Sequence, residues 1–319
     1  MTAATLTSLA GGHLLDQADR LRSLVHELAA DPARADAGDP TPHTARVIAV
    51  ASGKGGVGKT NISVNVALAM AQSGWNTTLL DGDLGLGNAD LMLGLAPRRH
   101  LGHVLDGRHS LDEVVVPVAS RLRLVPGASG IARLADLDEG SFRRLLGILR
   151  SLETTSQVLI IDCGAGIGSG VLSLVASADV AVIVTTPEPT AIADSYALVK
   201  CLVGSAENSP NGAVRLGLVI NQAHSDGEGR GVHARVAGAC EKFLRCPLPL
   251  LGIVPTDAHF AHAVRDRRPL IELHARSSGA RAIRDLSASL CAFSHLPDPC
   301  GASETGLVRR LLGRLGVNL

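Results

Sequence analysis

Aromatic side chains are almost missing from this chain: 319 residues include four Phe, one Trp and one Tyr. Base-stacking platforms and Tyr-rich recognition faces therefore have little to be built from. Net charge is missing too. The 30 Lys and Arg offset the 30 Asp and Glu, so no global basic field draws the protein to nucleic acid. The six cysteines (Cys163, Cys201, Cys240, Cys246, Cys291 and Cys300) include no C-x-x-C pair and no zinc-ribbon spacing. No run approaches the roughly 18 apolar residues that a membrane span needs. The opening MTAATLTSLAGG has neither a basic start nor an apolar core and does not read as a signal peptide. Together these absences predict a cytosolic protein with reduced thiols.

What is present is a Val-, Ile-, Leu- and Ala-rich chain, 46% hydrophobic, with 35 glycines for close backbone approach. Four zones separate. In the first, 1–28, residues 13–28 place Leu14, Leu15, Ala18, Leu21, Leu24, Val25 and Leu28 on about half of a helix circumference. Residues 29–45, with three prolines among small and charged residues, read as a flexible linker. From Arg46 to His295, unbroken apolar runs (RVIAVAS, NTTLLD, LRLVP, VLIIDC, VAVIVTT, LGLVIN and LLGIVP) alternate with helical patterns near 60–73, 140–152, 168–177, 190–203, 231–244 and 278–293. Strands with no polar face need cover on both sides. This pattern predicts an α/β fold, a mostly parallel doubly wound sheet with helices on both faces. The last zone, 296–319, is a Pro- and Gly-containing loop followed by a short helix.

The strongest chemical signal is GKGGVGKT, which follows the strand RVIAVAS and opens the helix TNISVNVALAM. Gly53, Gly55, Gly56 and Gly58 let backbone N–H groups around Val57 point at phosphate oxygens, and the helix dipole adds partial positive charge. Lys59 is placed to bridge the β- and γ-phosphates, the Thr60 hydroxyl to ligate Mg²⁺, and Asn61 to complete the nucleotide cradle.

The additional lysine, Lys54, makes this loop resemble the deviant Walker A motif of the MinD/ParA family. The resemblance extends over about residues 46–275 and implies a MinD-like P-loop NTPase fold, ATP and Mg²⁺ as ligands, and hydrolysis to ADP and phosphate. In that family the first lysine, here Lys54, reaches across an ATP-sandwich homodimer. LLDGDLGLGNADLMLGL resembles switch I, which implies that Asp83 orients the attacking water. LIIDCGAGIG resembles Walker B and switch II, which implies that Asp162 holds the Mg²⁺ shell at the strand's end. The same likeness assigns Asn221 to the adenine and places Pro255, Thr256 and Asp257 beside the base. Gly82 departs from the small side chain common between the two aspartates, with no functional consequence expected.

DQADRLR at 16–22 is similar to the activator motif of the flagellar-number regulators FlhG, FleN and YlxH within that family. The likeness implies that Asp16, Gln17, Ala18, Leu21 and Arg22 contact an FlhF-type SRP GTPase and stimulate it. A flagellar transcriptional regulator or a flagellar switch protein is a further partner that it admits. Leu307, Val308, Leu311, Leu312 and Leu315 share one face of the last helix, with Arg309, Arg310 and Arg314 outside it. That is the pattern of an interfacial helix held reversibly on the cytoplasmic membrane. A division-site or partition ATPase, an iron–sulfur carrier and a nucleotide-gated binding module are the competing readings. The absent C-x-x-C argues against the carrier. His100, His103 and His109 lack Cys or carboxylate partners at metal-ligand spacing, Cys163 reads as an inert buried thiol, and Arg265, Arg267 and Arg268 as a solvated helix end.

Overall fold

The computed structural model describes residues 45–83, 87–127, 139–206 and 214–296. The N-terminal motif with Asp16, Gln17, Ala18, Leu21 and Arg22, and the C-terminal helix with Leu307, Val308, Leu311, Leu312 and Leu315, lie outside them. Eight strands form one sheet in the order β3-β4-β2-β5-β1-β6-β7-β8. They are β1 (Arg46–Ser52), β2 (Thr77–Gly82), β3 (Val116–Ala119), β4 (Leu122–Val125), β5 (Val158–Ala165), β6 (Val180–Thr185), β7 (Arg215–Ala223) and β8 (Leu250–Pro255). All described pairings are parallel except β3 with β4.

The helices are α1 (Lys59–Gln72), α2 (Ala89–Met92), α3 (Leu101–Leu105), α4 (Glu139–Thr155), α5 (Ser169–Ser177), α6 (Pro189–Ala206), α7 (Asp226–Leu244), α8 (Ala258–Arg265), α9 (Leu270–Leu273) and α10 (Ser278–Phe293). None among the described residues is long and apolar enough to cross a membrane.

The period of two along β1 divides the interior into two cores. Val47, Ala49 and Ala51 join one side with Leu149 of α4, Leu198 and Leu202 of α6, and Val232 and Val236 of α7. Ile48 and Val50 join the other with Ile62, Val66 and Met70 of α1 and Ile283, Leu286 and Leu290 of α10. Helix α1 is therefore buried on nearly every side and shows no polar stripe. Its one internal amide, Asn65, is satisfied at both ends. Nδ2 donates to the Asn61 carbonyl at 2.8 Å, and Oδ1 accepts the Ile271 N–H at 3.1 Å.

This order positions the site. From β1 the chain builds β2 to β4 on one side, then returns through β5 to place β6, β7 and β8 on the other. The crevice where the direction reverses lies at the carboxyl end of β1, where doubly wound sheets take their ligands.

Candidate nucleotide-binding site

The loop after β1 is shaped by close approaches that only glycine permits. A Cβ on Gly53 would overlap the backbone carbonyl of Asp194 in α6, and one on Gly58 would overlap the Asn221 amide. Gly56 and Gly58 adopt φ of 82° and 88°, the left-handed region. Ser52 Oγ donates to the Lys54 carbonyl at 2.7 Å, and the Gly166 N–H donates to the Ser52 carbonyl at 2.9 Å. The second bond ties the loop to the segment after β5. A Cβ on Gly56 would meet nothing within 4 Å, so this glycine is required by its left-handed φ rather than by a close neighbour.

Lys59 and Thr60 open α1 beside Asp162, which lies within β5 and is almost fully buried. Burial pushes the Asp162 carboxyl up. Hydrogen bonds from Thr60 and Ser63, together with the Lys59 charge, oppose that shift, and Asp83 adds to it. The Ser63 hydroxyl donates to Asp162 Oδ1 at 2.9 Å. The Thr60 hydroxyl bonded to the Asp162 carboxylate, with Asp83 close by, supplies hard oxygen donors of the kind that suit Mg²⁺. Asp83 stands at the end of β2, its carboxyl 3.9 Å from where a Cβ on Gly164 would lie. Lys59, Thr60, Asp83 and Asp162, predicted from separate motifs, thus meet at one corner.

Asn221 and Asp257 stand at this end of the sheet, and each bonds protein groups. Asn221, buried at the end of β7, donates from Nδ2 to the Val57 carbonyl at 2.8 Å and so braces the phosphate loop from behind. Asp257 caps two helices. Oδ1 accepts the His259 N–H at 2.9 Å, and Oδ2 accepts the Gly279 N–H at 2.8 Å and the Ser278 hydroxyl at 3.0 Å. Burial acts to raise the Asp257 carboxyl, but these bonds overcome it and hold the group well below the ordinary carboxylate range. Pro255 ends β8 next to Thr256, whose N–H donates to the Ala223 carbonyl at 2.9 Å.

Comparison with known proteins agrees with this geometry. The ParA family, described as NUBPL iron-transfer P-loop NTPase, matches residues 43–291. The chain belongs to the ParA/MinD family of P-loop NTPases. It is 38% identical to the antiactivator FleN of Pseudomonas aeruginosa over 262 residues, 82% of this chain and 92% of that protein. It is 32% identical to the flagellum site-determining protein YlxH of Helicobacter pylori over 252 residues, 77% and 81% of the two chains. Its fold is similar to that of the septum site-determining protein MinD from Pyrococcus horikoshii, solved with Mg-ADP. That comparison has a TM-score of 0.62 and 25% identity, and it covers 77% of this chain and 96% of that one. These relatives place the chain with the flagellar-number regulators of the ParA/MinD family.

In this ParA/MinD protein the deviant lysine is held within its own chain. Lys54 Nζ lies 2.7 Å from Glu188 Oε2 and 2.9 Å from Thr190 Oγ1, both in the segment that opens α6. The pair is solvent-exposed, so it contributes at most about 1 kcal/mol. With the dimer crossing that the family resemblance implies for Lys54, Glu188→Gln is expected to leave the melting temperature unchanged and to tighten ATP-dependent dimerisation by no more than about five-fold, since Lys54 is then easier to withdraw. Sedimentation velocity with ATP and Mg²⁺ checks this; weaker association in the variant would show that Glu188 itself bonds the partner.

Ser63 carries no motif of its own, and Glu188 and Thr190 lie in the run TTPEPTAIADSYAL at 185–198, which the family resemblance covers without giving either a role. Nor is Asp81 given one. It is 1% exposed and pushed up to about 7 by burial, with the neighbouring Asp162 adding to the shift. Of the minor candidates, Cys163 is fully buried and its thiol is pushed far up, first by burial and then by Asp162. That makes it inert. His100 and His103 stack on each other with ring centroids 3.9 Å apart at the start of α3, and neither belongs to a group of three His, Cys, Asp or Glu side chains among the described residues that could hold a metal.

Proposed function

We propose that this protein is an ATP-hydrolysing switch that regulates flagellar number and placement. It dimerises with ATP, associates reversibly with the cytoplasmic membrane through 306–319, and stimulates an FlhF-type SRP GTPase through 16–22. What supports the reading is the convergence of Lys59, Thr60, Asp83 and Asp162 in a chain whose relatives include FleN and YlxH.

In this reading the loop N–H groups and Lys59 bind the phosphates of ATP. Thr60 and Asp162 would hold Mg²⁺, which supplies charge neutralisation when bound. Asp83 orients water, and Lys54 leaves Glu188 to reach the partner's phosphates. A septum- or partition-type positioning ATPase is the second reading, favoured by the likeness to MinD. Iron transfer, named in the family description, has no C-x-x-C ligand pair in this sequence to serve it.

The test uses the full chain with its cognate FlhF-type GTPase. Wild type should raise GTP turnover several-fold. Gln17→Ala and Leu21→Asp should weaken that effect, the second by spoiling the apolar docking face. Neither change should alter ATP affinity. Unchanged GTP turnover over a wide concentration range would leave the positioning reading as the better one.

A further inference from the structure

Asp81 lies two residues before Asp83, in the last stretch of β2, and is registered opposite Asp162 of β5. A carboxylate so fully enclosed is costly unless its oxygens are used. Here both are. Oδ1 accepts the backbone N–H of Asp83 at 3.2 Å, and Oδ2 accepts the backbone N–H of Ala89, the first residue of α2, at 3.1 Å. One side chain therefore ties the residue after β2 to the first residue of α2.

Two glycines show how closely the surroundings are fitted to it. A Cβ on Gly87 would come within 2.6 Å of Asp81 Oδ2, and a Cβ on Gly127, beyond β4, within 2.9 Å of its Cγ. Both contacts are shorter than real Cβ atoms tolerate, so the backbone on both sides is shaped around this carboxyl. The consequence for Asp83 is direct. Its Cα follows an N–H fixed to Asp81, so the position of its own carboxyl depends on that bond.

We propose that Asp81 is the positioning residue for the water-orienting carboxylate: it ties the Asp83 backbone to the start of α2 and so sets where Asp83 stands beside Asp162. This rests on the reading of Asp83 given above. Asp81 touches neither nucleotide nor water in this role. It acts through backbone bonds, and a displacement of about 1 Å at a positioned group is enough to cost on the order of 10²-fold in rate.

The test compares wild type with Asp81→Asn, Gly87→Ala and Asp83→Ala, reading single-turnover ATP hydrolysis, affinity for a fluorescent ATP analogue, and melting temperature. Asp81→Asn is isosteric but presents an amide N–H₂ to one of the two N–H donors, so one clamp is lost. Its hydrolysis rate should fall at least about ten-fold, while nucleotide affinity stays within about three-fold of wild type. Gly87→Ala should show the same split with Asp81 intact, which covers the case in which Asp81→Asn folds poorly. Two results would overturn the role of Asp81 itself: hydrolysis within two-fold of wild type in Asp81→Asn and Gly87→Ala while Asp83→Ala is inactive, or a parallel loss of affinity and rate. Wild-type turnover in Asp83→Ala would overturn the underlying assignment of Asp83, and the positioning role with it.

Discussion

Asp83→Ala is expected to stop ATP turnover while leaving ATP-dependent dimerisation intact. In the proposed reading the loop from Gly53 to Thr60 grips the phosphates and the buried Asp162 holds the Mg²⁺ shell; Asn221 braces the loop, and Ser63 bonds Asp162. Asp83 reaches the same corner from the end of β2, with its backbone rather than its carboxyl fixed to Asp81. On the proposed role of Asp83, removing the carboxyl takes away the group that orients water without taking away a phosphate contact. Losing a positioned proton acceptor costs roughly 10²–10⁴-fold, or about 3–5 kcal/mol of barrier. Phosphate release and sedimentation velocity, each with ATP and Mg²⁺, read the two halves separately. A variant that stays monomeric where wild type dimerises would show that Asp83 supports assembly, and normal phosphate release would remove it from the chemistry.

The parts of this site that the sequence made legible are those whose chemistry is local. A phosphate loop needs its glycines, Lys59 and Thr60 in one short run between a strand and a helix, and they are contiguous here. The central strands were equally legible, because a strand covered on both faces carries no polar alternation to confuse it.

What escaped is what depends on distant partners or on elements too short to show a period. Strand β3 is four residues with Pro117 inside, placed at an edge where proline is tolerated, and α2, α3 and α9 are single turns. The start of α7 was read near residue 231 but lies at Asp226. Three glycines at 227, 229 and 231 dilute the helical pattern, yet the capping signature was present. Ser225 Oγ accepts the Glu228 N–H at 3.1 Å, and Glu228 accepts the His224 N–H at 2.7 Å. Gly229 is there because a Cβ would come within 2.7 Å of Ile253. Asp81 had no role legible in the sequence, since its burial is decided by the register of β2 on β5 and by Gly127, which comes from another loop. Glu188 was unreadable as the partner of Lys54 because 134 residues separate them.

Gly53→Ala is expected to destroy the nucleotide site by a purely steric route. The added Cβ would be driven into the Asp194 carbonyl and to 2.8 Å from the Asp194 Cβ. Asp194 sits inside α6, whose carbonyls are held by the helix and whose apolar face is locked against the sheet through Leu198 and Leu202. Helix backbone cannot swing aside as the end of a flexible side chain can, so the loop must leave α6 instead. Overpacking of this kind costs at least about 3 kcal/mol, the upper end of the usual range. For a domain of this size, that lowers the melting temperature by roughly 6–12 °C. Because the displaced residue begins the phosphate loop, ATP affinity should be lost with it. Gly55→Ala is the matched control. Its Cβ would meet only the Ala165 Cβ at 3.9 Å, an ordinary van der Waals contact, so its melting temperature should stay within about 2 °C of wild type. Thermal melts of both variants, with a fluorescent ATP analogue to report binding, decide the matter. If Gly53→Ala melts with wild type and binds ATP normally, the loop is not seated on α6 as the structure has it.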